Sequence, residues 1–151
     1  MRMGNFEPDE TRIFHKLLDL TKAFIDVGAN VGYCCCFALQ RKKAVVAFEP
    51  QAHNLICLYR NITANEWHDN IEVFPLARSS QVGLLTLFGA WGPSTSLVKV
   101  WAGYSPLFKQ TVAANALDNI PVGRFPQALP LIKIDADIFD LFWRHNYRCC
   151  A

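Results

Sequence analysis

Phe24-Ile25-Asp26-Val27-Gly28-Ala29-Asn30-Val31-Gly32-Tyr33 begins as a short apolar run, breaks at a glycine turn, and leads into an apolar stretch over residues 33–39. That order reads as strand, glycine turn and buried helix. Gly28 and Gly32 have no Cβ in the way, so backbone there can approach a ligand closely and take positive φ. The segment therefore predicts the first strand and ligand-binding turn of a parallel α/β sheet.

The flanking sequence extends this reading. Upstream, over residues 8–20, Ile13, Phe14, Leu17, Leu18 and Leu20 recur at helical spacing behind acidic residues, which predicts an amphipathic leading helix. Downstream, Ala44-Val45-Val46-Ala47-Phe48 is a continuous apolar run that stops at Glu49-Pro50, as a buried parallel strand would. Residues 50–65 carry Leu55, Ile56, Leu58, Tyr59 and Ile62 at helical spacing, and residues 71–76 begin a third strand. Alternation of this kind builds a right-handed, Rossmann-like, doubly wound and mostly parallel sheet.

After Ala77 the pattern changes. Residues 83–88 and 96–100 flank a turn-like stretch, which predicts an inserted antiparallel pair, and residues 112–117 read as another short strand. Residues 129–135 form an apolar run ending in Asp135, the expected fourth core strand. One domain over residues 1–151 is expected: leading helix 8–20, cofactor-binding core 23–77, insertion 83–118, fourth strand 129–135, and an atypical tail 136–151.

Composition excludes several classes. With 52% hydrophobic and 19% charged residues the chain is too apolar to be disordered. A net charge of +2 from 15 basic and 13 acidic residues, with no basic run, gives no footprint for nucleic acid. No apolar stretch approaches the roughly 20 residues that span a bilayer, and the polar, acidic start lacks a signal-peptide core. A soluble cytoplasmic protein without a membrane partner is the expectation. Cys34, Cys35 and Cys36 point about 100° apart on a helix and cannot all ligate one ion, so with Cys57, Cys149 and Cys150 they read as reduced thiols. His15, His53, His68 and His145 show no metal-ligand spacing, and no metal site is expected.

In a doubly wound sheet, ligands sit beyond the carboxyl ends of the strands. Asp26, Glu49 and Asp135 each stand at such an end. A dinucleotide turn, G-x-G-x-x-G, places pyrophosphate at a helix N-terminus, where a carboxylate would repel it. Here Asn30 occupies the place of the second glycine and Asp26 precedes the turn, so a ligand with an ammonium group and no phosphate fits better. The methionine part of S-adenosylmethionine is the obvious case. Glu49, at the next strand end, is then suited to accept hydrogen bonds from both ribose hydroxyls. Taken singly, helix capping by Asp26 and a plain tight turn remain open.

Together with Val46-Ala47-Phe48-Glu49-Pro50, Leu117-Asp118 and Leu131-Ile132-Lys133-Ile134-Asp135, the opening segment resembles the ordered motifs of the FkbM-type methyltransferase family, over about residues 7–140. The resemblance implies a class I, S-adenosylmethionine-dependent methyl transfer to an oxygen of a small molecule or sugar. By position, Asp26, Gly28, Asn30 and Gly32 resemble the cofactor loop and Glu49 the ribose acid. Asn54 matches a position often Asn in the family, with a solvated helix face as the alternative, and Ala77 falls where adenine is expected. Asp135 matches the acid of the Lys-Ile-Asp-x-Glu-Gly motif, near the transferred methyl. There this chain reads Asp135-Ala136-Asp137-Ile138, so Asp137 can stand in for the Glu, whereas Ile138 cannot replace a glycine that needs positive φ.

Asp135, with Asp137 in reserve, is thus the candidate to orient or deprotonate an acceptor hydroxyl. Trp91, Trp101 and Tyr104 either wall an acceptor pocket or simply pack. The chain stops before a full class I sheet could be completed, so a truncated product is expected. An oligomer or partner that covers the open sheet is one consequence, and a non-catalytic remnant is the rival reading. An NAD-dependent oxidoreductase is the third, disfavoured by the glycine spacing and Asp26.

Overall fold

A computed structural model of the chain describes residues 8–80, 82–89, 108–116, 119 and 129–135. Helix α1 (Pro8–Asp19) starts on a proline followed by Asp9 and Glu10, a first turn suited to the positive helix end. Its buried stripe is narrower than the sequence predicts. Phe14 and Leu18, four residues apart, pack inward, while Ile13, Leu17 and Leu20 are exposed.

Strand β1 (Ala23–Val27) leads through the glycine turn into α2 (Tyr33–Gln40), then β2 (Ala44–Phe48), α3 (Ala52–Ala64) and, after a single 3-10 turn, β3 (Ile71–Phe74). Two short strands follow, β4 (Ala77–Arg78) and β5 (Gly83–Phe88), then β6 (Lys109–Asn115) and β7 (Pro130–Ile134). The main sheet runs β3-β2-β1-β7, all parallel, with Asp26 opposite Ala47 on one side and opposite Lys133 on the other. The apolar run expected as the fourth core strand is therefore the neighbour of the first.

Alternation along the strands divides the core into two layers. Phe24, Val45 and Ala47 face Leu18 of α1, Cys35, Ala38 and Leu39 of α2, and Leu58 and Ile62 of α3. On the opposite face Val27, Val46 and Phe48 pack with Ile25, Phe74 and Leu76. The apolar area removed from water on the helix-covered face is the main stabilising term.

The second sheet runs β4-β6-β5. Among the described residues the antiparallel partner of β5 is β6, from Gly83 opposite Ala114 to Phe88 opposite Lys109. The stretch 96–100, expected to pair with β5, lies outside the described residues. Strand β6 begins earlier than residue 112 because its first half, Lys109-Gln110-Thr111, is polar and exposed, and only Val112 and Ala114 turn inward to meet Ala77 and Leu87. Among the described residues no helix is long and apolar enough to cross a membrane.

Candidate cofactor site

The carboxyl ends of β1, β2, β3 and β7 are tied together at the glycine turn. The Phe48 carbonyl accepts the N–H groups of Gly28 (2.9 Å) and Ala29 (3.0 Å), the Phe74 carbonyl accepts Glu49 N–H (3.2 Å), and Asp135 N–H donates to the Val27 carbonyl (2.9 Å). Gly28 (φ 80°), Asn30 (φ 52°) and Gly32 (φ 87°) all lie in the left-handed region, which glycine enters freely and asparagine tolerates. The positive φ expected at both glycines is present.

The turn's N–H groups are satisfied internally. Asn30 N–H donates to Glu49 Oε2 (2.7 Å), Val31 N–H to Asn30 Oδ1 (2.8 Å), and Gly32 N–H to the Ala29 carbonyl (2.8 Å). With Gly28 and Ala29 bound to Phe48, every backbone N–H from residue 28 to 32 is spent inside the protein. Helix α3 supports the turn from beneath: Asn61 Nδ2 donates to the Val31 carbonyl (3.0 Å), and a Cβ on Gly32 would strike the buried Leu58 side chain.

Glu49 is buried at the end of β2, and Gln51 N–H (2.9 Å) and Asn54 Nδ2 (3.1 Å) both donate to its Oε1. Burial pushes its carboxyl above the usual range, while the donations from Gln51, Asn54 and Asn30 pull it back in part. A carboxylate offers about four lone-pair sites, so after these bonds roughly one remains, on Oε2. Asn54 is buried as well, which removes the solvated-face alternative for it. Its Oδ1 is a buried acceptor with no hydrogen-bond partner among the described residues. A second acceptor therefore lies beside the acid.

Asp26 is fully buried, beneath α2. Cys35 Sγ donates to its Oδ2 (3.3 Å) and Lys133 Nζ to its Oδ1 (3.4 Å), and the same ammonium reaches Asp135 Oδ2 at 3.3 Å. Burial pushes Asp26 up to about 6, against the opposing pull of Lys133 and Cys35. For Lys133, burial acts downward, but Asp26 and Asp135 outweigh it and hold the ammonium above the ordinary lysine range. Asp135 is exposed. Asp26 thus meets the site through Lys133, and the outward charges at this end are Lys133 and Asp135.

Ala77 is buried in β4, its methyl packed with Leu87, Val112 and Ala114. Beside it, the Arg78 guanidinium lies 4.6 Å from the centre of the Phe48 ring, which stacks on Phe74 at 5.0 Å. Burial pushes the Cys34 thiol up to about 12 and Cys35 well above the thiol range; Cys34, Cys35, Cys36 and Cys57 are all free. Asp137, Trp91, Trp101, Tyr104, Leu117, Asp118, His145, Cys149, Cys150 and the tail lie outside the described residues.

The sequence model of the methyltransferase FkbM domain matches residues 26–141, from the acid of β1 to beyond β7. The chain belongs to the FkbM methyltransferase domain family. No curated protein sequence matches it at a significant level. Among solved structures, this FkbM domain is similar to a candidate O-methyltransferase from Klebsiella pneumoniae, at 13% identity and a TM-score of 0.40, covering 49% of this chain and 36% of that one. It is also similar to a candidate transferase from Pyrococcus horikoshii, at 21% identity and a TM-score of 0.40, covering 48% and 29%. The matched part thus spans well under half the length of either structure.

Sequence reading missed three members of the site. Gln51 closes on Glu49 through its backbone, which side-chain chemistry does not reveal. Arg78 belongs to a strand two residues long, too short for periodicity to detect. Lys133 stands inside a recognised motif, but its role depends on the parallel pairing of β7 with β1.

Proposed function

We propose that this FkbM domain binds S-adenosylmethionine and transfers its methyl group to an oxygen of a small molecule or a sugar. The observation that carries the reading is a turn with no N–H left for a phosphate, set beside two buried acids. A pyrophosphate draws on free N–H groups and an absence of negative charge; the N–H groups of residues 28–32 are bound within the protein, and Asp26 and Glu49 stand beside them. A nucleoside with a vicinal diol suits Glu49 Oε2 and the unpaired Asn54 Oδ1, because both are acceptors and a diol brings two donors. This arrangement weighs against the nicotinamide-dinucleotide reading.

Bound there, S-adenosylmethionine supplies a methyl group on a sulfonium, already activated for in-line displacement. The protein's share is mainly positional, since holding the acceptor about 3 Å from the methyl supplies most of the acceleration. Gly28 and Gly32 let the turn approach the ligand, Glu49 and Asn54 fix the sugar, and α3 keeps the turn rigid through Asn61 and Leu58.

Calorimetric titration with S-adenosylhomocysteine, beside a Glu49→Ala control, tests the reading. Micromolar binding that the control loses is the expected result, with NAD failing to compete. Absence of binding by a folded chain would overturn it and leave a non-catalytic remnant.

A further inference from the structure

The two most exposed large apolar side chains among the described residues, Leu129 (90%) and Leu20 (83%), both stand at the amino-terminal end of the main sheet. Leu20-Thr21-Lys22 is the turn from α1 into β1, and Leu129 immediately precedes β7. Because Ala23 pairs with Pro130, the residues just before them, Lys22 and Leu129, are neighbours across the two strands. On the other side of β1 the turn Arg41-Lys42-Lys43 leads into β2 and is tied to the first turn. Ala44 N–H donates to the Lys22 carbonyl (3.2 Å), Lys43 Nζ to the Thr21 carbonyl, and Arg41 Nε to Asp19 Oδ1 (3.0 Å). One end of the sheet therefore carries Leu20 and Leu129 among Lys22, Arg41, Lys42 and Lys43, with Lys22 and Lys42 exposed. Of the acids at this end, among the described residues, Asp19 is spent on Arg41. Glu66 and Asp69 precede β3, two strand spacings or about 10 Å from β1, which is about the screening length at 0.1 M salt.

Protruding leucines set among lysines suit one kind of partner. The core of a protein interface is depleted in lysine, and single-stranded nucleic acid is gripped by aromatic side chains, of which these six residues include none. An anionic bilayer attracts lysines to its headgroups and admits leucines beneath them, with no need of a groove. We propose that this end of the sheet docks on an anionic membrane surface, with Leu20 and Leu129 entering the headgroup layer and Lys22, Arg41, Lys42 and Lys43 meeting the anionic headgroups. The glycine turn lies at the other end of β1, about 16 Å away along a five-residue strand, so the cofactor site stays open to the aqueous phase. A surface-bound domain needs no spanning helix. No membrane partner was legible in the sequence, because residues 20–22, 41–43 and 129 are far apart in the chain and meet only through strand pairing.

Cosedimentation of the full chain with vesicles at millimolar lipid tests the proposal. The chain should pellet with vesicles containing about 30% phosphatidylserine and stay in solution with phosphatidylcholine alone. Lys22→Gln/Lys42→Gln should weaken partitioning about 25-fold, at about fivefold for each lysine. Leu20→Ser/Leu129→Ser should weaken it by about tenfold or more. All four side chains are exposed, so both double variants should keep the circular dichroism of the wild type and its response to S-adenosylhomocysteine.

Equal pelleting with both kinds of vesicle, pelleting with neither, or a double variant that partitions like the wild type would overturn the proposal. Unchanged partitioning of the leucine variant, joined to release of the chain from vesicles by a single-stranded oligonucleotide, would mark the lysines as a general polyanion site instead. The vesicle measurements use no cofactor. Their failure leaves the methyltransferase reading untouched, and failure of that reading leaves the docking surface standing.

Discussion

Asp26→Asn should flatten the dependence of folding stability on pH between about pH 4 and pH 7. Asp26 is fully buried, and burial pushes its carboxyl from 3.8 to about 6 despite Lys133 and Cys35. The charged or titratable groups around it are Cys34 and Cys35 of α2 and Lys133 and Asp135 at β7, and none outweighs the loss of hydration. The folded chain therefore holds this proton more tightly than the unfolded chain. Its contribution to stability is fully present below pH 3.8 and is lost as pH rises through about 6. At about 1.4 kcal/mol per tenfold in proton affinity, the loss by neutral pH is about 3 kcal/mol. Asparagine keeps the shape of the neutral acid and cannot ionise, so at pH 7 the variant should be the more stable by up to that amount. Urea unfolding followed by far-UV circular dichroism at pH 4, 5, 6 and 7 measures both curves. Glu49, whose carboxyl burial also raises, leaves a residual slope of the same sign in each, so the difference between the curves is the quantity to read. Parallel curves would refute the assignment, as would a variant that loses stability relative to wild type as pH rises.

The structure makes further predictions. Gly32→Ala places a Cβ at φ 87° and against Leu58, so it should cost about 2–3 kcal/mol in urea unfolding from left-handed strain and overpacking; a cost below about 0.5 kcal/mol would mean the turn relaxes freely. Asn54→Leu removes both the donor to Glu49 Oε1 and the buried acceptor, and S-adenosylhomocysteine binding should weaken by about tenfold or more; unchanged binding would take Asn54 out of the site. At pH 8, iodoacetamide should leave Cys34 and Cys35 of the folded chain unmodified, since burial keeps both as thiols, and label them after unfolding in urea; mass spectrometry that finds rapid native labelling at Cys35 would contradict its burial against Asp26.

What could be read from sequence depended on the range of the interaction concerned. The first strand, its turn, the following helix and β2 are local, and each is specified by residues near one another: apolar runs five residues long, then glycines where φ is 80° and 87°. Strand β5 was legible for the same reason, whereas half of β6 was not, because Lys109-Gln110-Thr111 face solvent and carry no apolar signal. Helix α1 shows the opposite error, in that five apolar residues fit helical spacing but only Phe14 and Leu18 meet the core. The site divides along the same line. Glu49 and the glycine turn lie within one strand-helix-strand unit, so their convergence followed from sequence order. The contact of Lys133 with Asp26 spans 107 residues and exists only because β7 lies beside β1 in register, a fact of tertiary structure. Its effect on the chemistry is large for that reason: an acid that sequence places at the ligand is withdrawn into the core, and the charges that face outward are the lysine it anchors and the aspartate two residues further along the same chain. Where a carboxylate sits in a fully buried strand, the residue opposite it on the neighbouring strand decides whether that charge is available to a ligand.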